Sequence, residues 1–212
     1  LRARYDAAVT SDDNRRHWRN ADGLSVNAAN NAEVRRILRN RARYEVANNS
    51  YARGIVLTLA NDAIGTGPQL QLLTENAEAN RRIEKEFSAW SRAINFAEKL
   101  RTMRMSRAQD GEVFAVLTSN PKLPTAIQLD LKLVEADQVC TPDFNALVSK
   151  AVDGIVFDDA GNPIEYHVLK SHPGETIRLN RDFERIDAEA MIHWFRADRP
   201  GQARGIPDIM PA

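Results

Sequence analysis

Residues 48–68 constrain the fold most, because they hold the longest nearly unbroken apolar segment of the chain. The apolar side chains recur at steps of three and four, as one wide face of a helix requires: Ala52, Ile55, Val56, Leu59, Ala60, Ala63 and Ile64. Asn49 or Ser50 can cap the start of this helix, and Gly65 can adopt the left-handed conformation that ends it. A helix this apolar needs covering elements, so we expect it to lie in the core.

The charge of the chain is balanced in total but uneven along its length. The chain has 212 residues, and its 29 basic and 29 acidic residues cancel, so no long-range field favours nucleic acid or an anionic membrane. Residues 1–53 contain eleven arginines, no lysine and six acids, a net charge of +5 that the remaining residues offset with −5. The longest apolar run is too short for a bilayer, so we expect no membrane partner. The single Cys140 excludes an intrachain disulfide.

Residues 1–29 are rich in Asp, Asn and Arg and poor in aliphatic residues, which predicts an extended N-terminal arm with room for one short helix. Residues 15–19 of this arm read Arg-Arg-His-Trp-Arg. A basic cluster around an aromatic side chain is typical of a contact with phosphate and a base, or with another subunit. The alternative is an arm whose Trp18 docks on its own domain.

An arginine-rich helix is predicted next. Asn30 followed by Glu33 resembles a capping box and opens a helix that continues to about residue 46. One face of this helix is apolar and contains Val34, Ile37, Leu38 and Ala42. The other face contains four arginines, our candidate contacts to phosphate or to another subunit: Arg35, Arg36, Arg39 and Arg43. A solvated helix face, or pairing of these arginines with acids, explains the pattern as well.

Helical patterns continue to residue 110, and strand patterns then dominate. Helices are predicted over residues 79–94 and from residue 96 to a stop at Gly111. Strands are predicted at residues 69–74, 112–117, 127–133 and 191–195, and a hairpin joins residues 155–157 to residues 164–168 through the turn-forming sequence DDAGNP. This order predicts an α+β domain over residues 30–212, with helices in 30–110 and a mainly antiparallel β region in 111–197.

The sequence contains few groups that point to metal binding. Asp158, Asp159 and Asn162 lack the ligand alternation and the terminal Glu of a calcium loop, so a turn is the better interpretation. His167 and His172 are five residues apart and lack a Cys or Glu at the spacing of a zinc site. We therefore expect no metal and no cofactor.

Catalytic patterns are equally sparse. The sequence GTGP at residues 65–68 lacks the Lys-Ser/Thr of a phosphate-binding loop. Asp130, Glu135 and Asp137 follow an alternating strand and could form a carboxylate pair, although a solvated sheet edge explains them as well. No nucleophile lies beside a base in the sequence. We therefore predict no catalytic residue and a protein that is not an enzyme.

Several stretches, spread from residue 2 almost to the end of the chain, together resemble those of a known family and occur in the same order. They are RARYDAA at 2–8, the NN-YARGIV and GTGPQLQ segments, EKLRTMRMS at 98–106, DGEVFAVL at 110–117, VEADQV at 134–139, DGIVFDDAGNPIEYHVLKSHPG at 153–174 and IHWFRADRPGQARGIP at 192–207. Together they resemble the portal proteins of tailed bacteriophages, specifically the lambda type. Each stretch alone is a weak signal, but their order and span make the resemblance specific.

The resemblance implies a structural subunit of a ring, commonly dodecameric, at one vertex of the capsid. Such a ring surrounds the channel through which double-stranded DNA is packaged and ejected, and it receives terminase, head-tail joining proteins and capsid or scaffold proteins. It is assembled in the cytoplasm of the bacterial host and becomes part of the virion. The chain resembles the amino-terminal, wing part of the subunit, with the stem and clip expected after Ala212.

Three further hypotheses concern how the arginines and acids are used. Because of the charge asymmetry, we expect the arginine-rich helix and the arm to meet an acidic surface of an adjacent subunit. The alternative to a portal is a nucleic-acid-binding accessory domain that places the same arginines on phosphate. A small hydrolase that uses the carboxylates at residues 130–137 is the third possibility, and it requires a pocket with shifted pKa values.

Overall fold

The computed structural model describes residues 5, 8–141, 151–175 and 182–210. In these residues all the α-helices precede all the strands, so the predicted α+β class is confirmed. The helices are α1 Val26–Ala29, α2 Ala32–Asn48, α3 Ser50–Ile64, α4 Ala77–Ala93 and α5 Phe96–Asp110. The strands are β1 Glu112–Ser119, β2 Leu129–Val134, β3 Ala151–Val152, β4 Ile155–Phe157, β5 Pro163–Leu169, β6 Phe183–Asp187 and β7 Met191–Phe195.

The helix ends follow local sequence signals. The cap of α2 is Asn31, one residue later than predicted, and its Oδ1 accepts hydrogen bonds from two first-turn N–H groups, each at 3.1 Å. Asn30 instead ends α1. Asn49 caps α3 as predicted, and Gly65 ends it with a positive φ of 55°. Gly111 ends α5 with a φ of 87°, a conformation that glycine adopts without strain.

The strands form two antiparallel sheets. The first sheet has the order β2-β1-β7 and the second has the order β3-β4-β5-β6. The strands predicted at residues 112–117, 127–133 and 191–195 are confirmed as β1, β2 and β7. The predicted hairpin is confirmed as the β4–β5 pair. The predicted strand at residues 69–74 is wrong, because this segment pairs with no strand and leads into α4. β3 and β6 were not predicted, since β3 is very short and β6 is a charged edge strand without an apolar period of two.

β1 is buried on both faces and separates two apolar clusters. Phe114 and Val116 face the second sheet and pack in a cluster that includes Tyr166 and Val168. The alternate residues of β1 pack with Met103 of α5. The molecule therefore has a helical layer, the first sheet and the second sheet, in that order.

α3 is covered on only part of its apolar face. Ala52, Val56 and Ala60 are buried, but Ile55 is 54% exposed and Leu59 is 38% exposed. α3 packs on α2 and α5 through its buried residues, and the expectation that its whole apolar face lies in the core is wrong. No helix in the part of the chain that the structure describes combines the length and apolarity of a membrane span.

Candidate functional site

Glu112, the first residue of β1, is fully buried at the centre of a group of charged side chains. Its Oε1 accepts hydrogen bonds from Arg204 Nη2 at 2.7 Å and from Arg39 Nη1 at 3.3 Å. Its Oε2 accepts hydrogen bonds from Arg204 Nε at 2.9 Å and from the main-chain N–H of Gly205 at 3.0 Å. The same oxygen lies 3.0 Å from His193 Nε2. Both carboxylate oxygens are therefore committed to partners within the chain.

Arg204 is fully buried and links Glu112 to both sheets. Its Nη1 donates to the carbonyl oxygens of Val139 at 3.0 Å and Asp153 at 2.5 Å. Its Nη2 donates to the carbonyl oxygen of Ala136 at 3.2 Å. These contacts satisfy the guanidinium, which would otherwise be very costly to bury. Arg204 thus binds the segment that follows β7 to the centre of the fold.

Gly205 makes this close approach possible. A Cβ atom at Gly205 would lie 2.1 Å from the carbonyl oxygen of Gly111, at the junction of α5 and β1. Real Cβ atoms do not approach a backbone oxygen so closely. The backbone at Gly205 therefore reaches Glu112 because the residue has no side chain.

The arginines of α2 enter the same group of charges. Arg35 and Arg39 are 2% and 5% exposed, and Arg39 Nη2 donates to Asp137 Oδ1 at 2.8 Å. Arg43 is half-buried, donates from Nε to Asp110 Oδ1 at 2.7 Å, and has Nη1 2.8 Å from Asp137 Oδ2. Arg35, Arg39 and Arg43 are thus paired with buried or partly buried carboxylates of their own chain, which is one of the alternatives that the sequence left open.

The predicted faces of α2 require a correction. Arg35 faces inward, where it donates to the carbonyl oxygen of Asn30 and to the carboxylate of Asp153. Of the residues predicted for the apolar face, only Ala42 is buried, and the other three are half-buried: Val34, Ile37 and Leu38. Arg36 is the candidate that lies at the surface, where it donates to Glu33 at 2.6 and 3.0 Å. A phosphate-binding ridge of four arginines is therefore not present in this conformation.

The charges of the network balance. It comprises four arginines, Arg35, Arg39, Arg43 and Arg204, and four carboxylates, Asp110, Glu112, Asp137 and Asp153. They come from α2, α5, β1, the turn after β2, the β3–β4 turn and the segment after β7. Removing one member of a buried ion pair costs about 3–5 kcal/mol, because the other charge is left without compensation. We name these eight residues the arginine–carboxylate network; it joins all three layers.

The pKa values of the carboxylates reflect this pairing. Burial alone would raise the pKa of Glu112, but the charge of Arg204 and hydrogen bonds from His193 and Arg204 hold that pKa well below its usual range. Burial also opposes ionisation of Asp137, and nearby arginines nevertheless lower its pKa. Burial prevails at Asp110 and raises its pKa, despite the hydrogen bond from α2. The central carboxylate is therefore ionised at neutral pH.

Two basic groups respond mainly to burial. Burial, together with the like charge of Arg204, lowers the pKa of Arg35 to about 10, so this side chain stays cationic at neutral pH. Burial also lowers the pKa of His193, against the opposing hydrogen bond with Glu112. The ring of His193 stacks on Phe114 with a centroid distance of 4.2 Å. Burial therefore favours the neutral form of this histidine in the folded chain.

Sequence patterns missed five residues of this centre: Asp110, Glu112, Asp153, His193 and Arg204. Glu112 stands in a strand whose neighbouring residues are apolar on both faces, and a charge there signals a buried partner. Asp153 precedes Gly154, both have positive φ values, and Asp-Gly is the signal of a two-residue hairpin turn. His193 and Arg204 carry no local signal of their own.

The structure separates the carboxylates that were considered for catalysis. Asp130 binds Lys99 Nζ at 2.5 Å and Asn120 Nδ2 at 3.0 Å, and the first of these bonds lowers its pKa. Asp137 is bound instead to the arginines of α2. Neither carboxyl has the raised pKa of a general acid. The residues at 130 and 137 are therefore explained by ion pairing.

Among the described residues, one group of potential metal ligands converges. Oxygen and nitrogen atoms of Glu135, Asp137 and His172 lie within 4.8 Å of one another. The guanidinium of Arg43 lies 2.8 Å from Asp137 Oδ2 and 3.5 Å from Glu135 Oε2. An arginine therefore already supplies positive charge to both carboxylates.

Comparisons with known proteins agree on one family. The model of the phage portal proteins of the lambda family matches residues 12–212. A probable portal protein of Halomonas phage phiHAP-1 is 28% identical over 188 aligned residues, which cover 79% of this chain and 36% of that relative. The chain therefore spans about a third of the length of this curated relative.

Proposed function

Because the chain belongs to the lambda family of phage portal proteins, we propose that it is the amino-terminal, wing part of a ring subunit at one capsid vertex. The ring would surround the channel for packaging and ejection of double-stranded DNA. Terminase, head-tail joining proteins and capsid or scaffold proteins would dock on it. The observation that carries the proposal is the family match over residues 12–212. The family is a structural one.

The arginine–carboxylate network supports a mechanical role. A ring subunit transmits force between neighbours, so its layers must resist sliding past one another. Ion pairs with buried, multiply bonded arginines fix such layers in one register, since any displacement leaves charges unpaired. The buried charges of this chain are used to hold its parts together, and the centre offers no free nucleophile or base among the described residues.

Arg36 is the member of the four candidate arginines that we propose for a contact with a neighbouring subunit. Its side chain is 56% exposed, and its partner Glu33 is exposed as well. Exchanging a weak, solvated ion pair for one between subunits costs little. Arg35, Arg39 and Arg43 would contribute indirectly, by holding α2 in place.

Electron microscopy of the complete gene product tests the proposed function. We expect closed rings with a central channel, because a heterologous contact whose rotation closes produces a ring. Monomers, open filaments or symmetric dimers at micromolar concentration would reject the proposal.

Light scattering on residues 1–212 alone provides a second test. We expect a monomer or weak association, because the stem of the proposed ring lies outside this segment. A stable ring from these residues would contradict the assignment of the segment to the wing.

A further inference from the structure

Residues 8–25 of the N-terminal arm lie almost entirely at the surface. Of residues 8–25, none is buried, and only Asn14 has intermediate exposure. Trp18 is 47% exposed, and its ring contacts the neighbouring ring of His17. The arm joins the body near Leu24, whose carbonyl oxygen accepts a hydrogen bond from Arg199, and Val26 is the first buried residue. The expectation that Trp18 docks on its own domain is therefore wrong for this conformation.

The arm nevertheless has local order. The N–H of Arg15 donates to the carbonyl oxygen of Ser11 at 3.0 Å, and the N–H of Trp18 donates to that of Asn14 at 3.2 Å. Residues 15, 18 and 19 share one face of such a helical turn, because they are three and four positions apart. The turn thus presents an exposed tryptophan between Arg15 and Arg19. Tryptophan and arginine are the side chains most enriched at the centres of protein interfaces.

The described part of the chain offers a surface of opposite charge. Residues 151–195 contain nine acids and four basic residues, a net charge of −5 that equals the whole excess of residues 54–212. Glu184, Asp187 and Glu189 are exposed on and just after β6, an edge strand of the second sheet, and they outnumber the single exposed cation of that strand, Arg185. β6 also contains the partly exposed side chains of Phe183 and Ile186. Carboxylates beside apolar side chains suit both the arginines and the indole.

We propose that the turn at residues 11–21 docks through Arg15, Trp18 and Arg19 on the β6 edge of a neighbouring copy of the chain. The proposal rests on the proposed function, because the ring supplies the neighbour. Trp18 lies six positions before the anchor at Leu24, which permits a reach of at most about 20 Å at ~3.3 Å per residue. The β6 edge of the neighbour must lie within that distance of the anchor. The arm would then act as a strap between adjacent subunits.

Photo-crosslinking in mixed rings tests this contact. A benzophenone amino acid replaces Trp18 in the complete gene product, and rings are assembled from equal amounts of isotopically labelled and unlabelled subunits. We expect crosslinks to the peptide of residues 182–190, with labelled–unlabelled pairs at their statistical share. The same amino acid in place of Tyr51, which is 81% exposed on α3, is the control and should not label this peptide.

Charge reversal tests the chemistry of the same contact. Arg15→Glu with Arg19→Glu should lower the crosslink yield about tenfold, equivalent to about 1.4 kcal/mol. Adding Glu184→Lys and Asp187→Lys should restore it. The docking proposal would be overturned by crosslinks confined to one chain or by crosslinks to DNA or capsid protein. It would also be overturned if the crosslink yield did not change with the charge reversals. If the unmodified protein forms no rings, the proposed function itself fails, and this outcome is distinct from rings whose arms crosslink elsewhere.

Discussion

Replacement of Glu112 by Gln tests whether the arginine–carboxylate network stabilises the fold. The substitution keeps the shape of the side chain but replaces one oxygen acceptor with an NH₂ donor. The oxygen Oε1 faces Arg204 Nε, Arg204 Nη2 and Arg39 Nη1, while Oε2 faces Arg204 Nε, the N–H of Gly205 and His193. In either orientation of the amide, the new donor therefore meets at least two donors that lose their acceptor.

The expected cost follows from these contacts. Each buried donor without an acceptor costs about 1–3 kcal/mol, and breaking a buried ion pair costs about 3–5 kcal/mol. We expect Glu112→Gln to lower the free energy of unfolding by about 3–5 kcal/mol. For a chain of this size this corresponds to a fall in Tm of about 6–20 °C. A domain with an ordinary stability of about 5–15 kcal/mol would survive the change.

Urea unfolding followed by circular dichroism measures this difference, with Glu33→Gln as the matched control. Glu33 undergoes the same chemical change, but it is exposed and pairs with the exposed Arg36. The control should therefore leave the free energy of unfolding nearly unchanged, because exposed ion pairs contribute little to stability. If Glu112→Gln unfolds within about 1 kcal/mol of the unmodified chain with an unchanged m value, the network does not stabilise the fold as described.

Three shorter predictions concern the same structure. Because burial lowers the pKa of His193, the unfolded chain binds a proton that the folded chain does not at pH values between the folded and the unfolded pKa. Stability that is present above about pH 6.5 should therefore be lost as the pH falls through the folded pKa. His193→Gln should flatten this decline in urea titrations. Gly205→Ala should destabilise by more than about 3 kcal/mol because its Cβ meets backbone, whereas Gly54→Ala, in open space within α3, should stabilise by up to about 1 kcal/mol; equal thermal shifts would refute the close approach. Arg36→Glu in the complete gene product should weaken the rings without changing the Tm of residues 1–212. If the variant rings dissociate at the same salt concentration as the unmodified rings, a subunit contact at this side chain is rejected.

The sequence alone determined the features that depend on near neighbours in the chain. The order of helices and strands, the cap of α3 at Asn49 and the hairpin around residues 158–163 follow from periodicity, capping and turn residues, which act over a few positions. The family also followed from the sequence, because ordered motifs persist along its length. The position of β6 did not, since a charged edge strand has no distinctive period.

Only the tertiary structure decided which charges are buried. A helical period places arginines on a face, but it does not state whether that face meets water or acids. Arg39 meets Glu112 across 73 residues and Arg35 meets Asp153 across 118 residues, so their burial depends on how distant elements pack. The reverse holds for α3, where the apolar side chains of Ile55 and Leu59, which periodicity assigned to a core, stay exposed. Burial is a property of the assembled layers, because a charged or apolar side chain takes its free energy from neighbours that the local sequence does not contain.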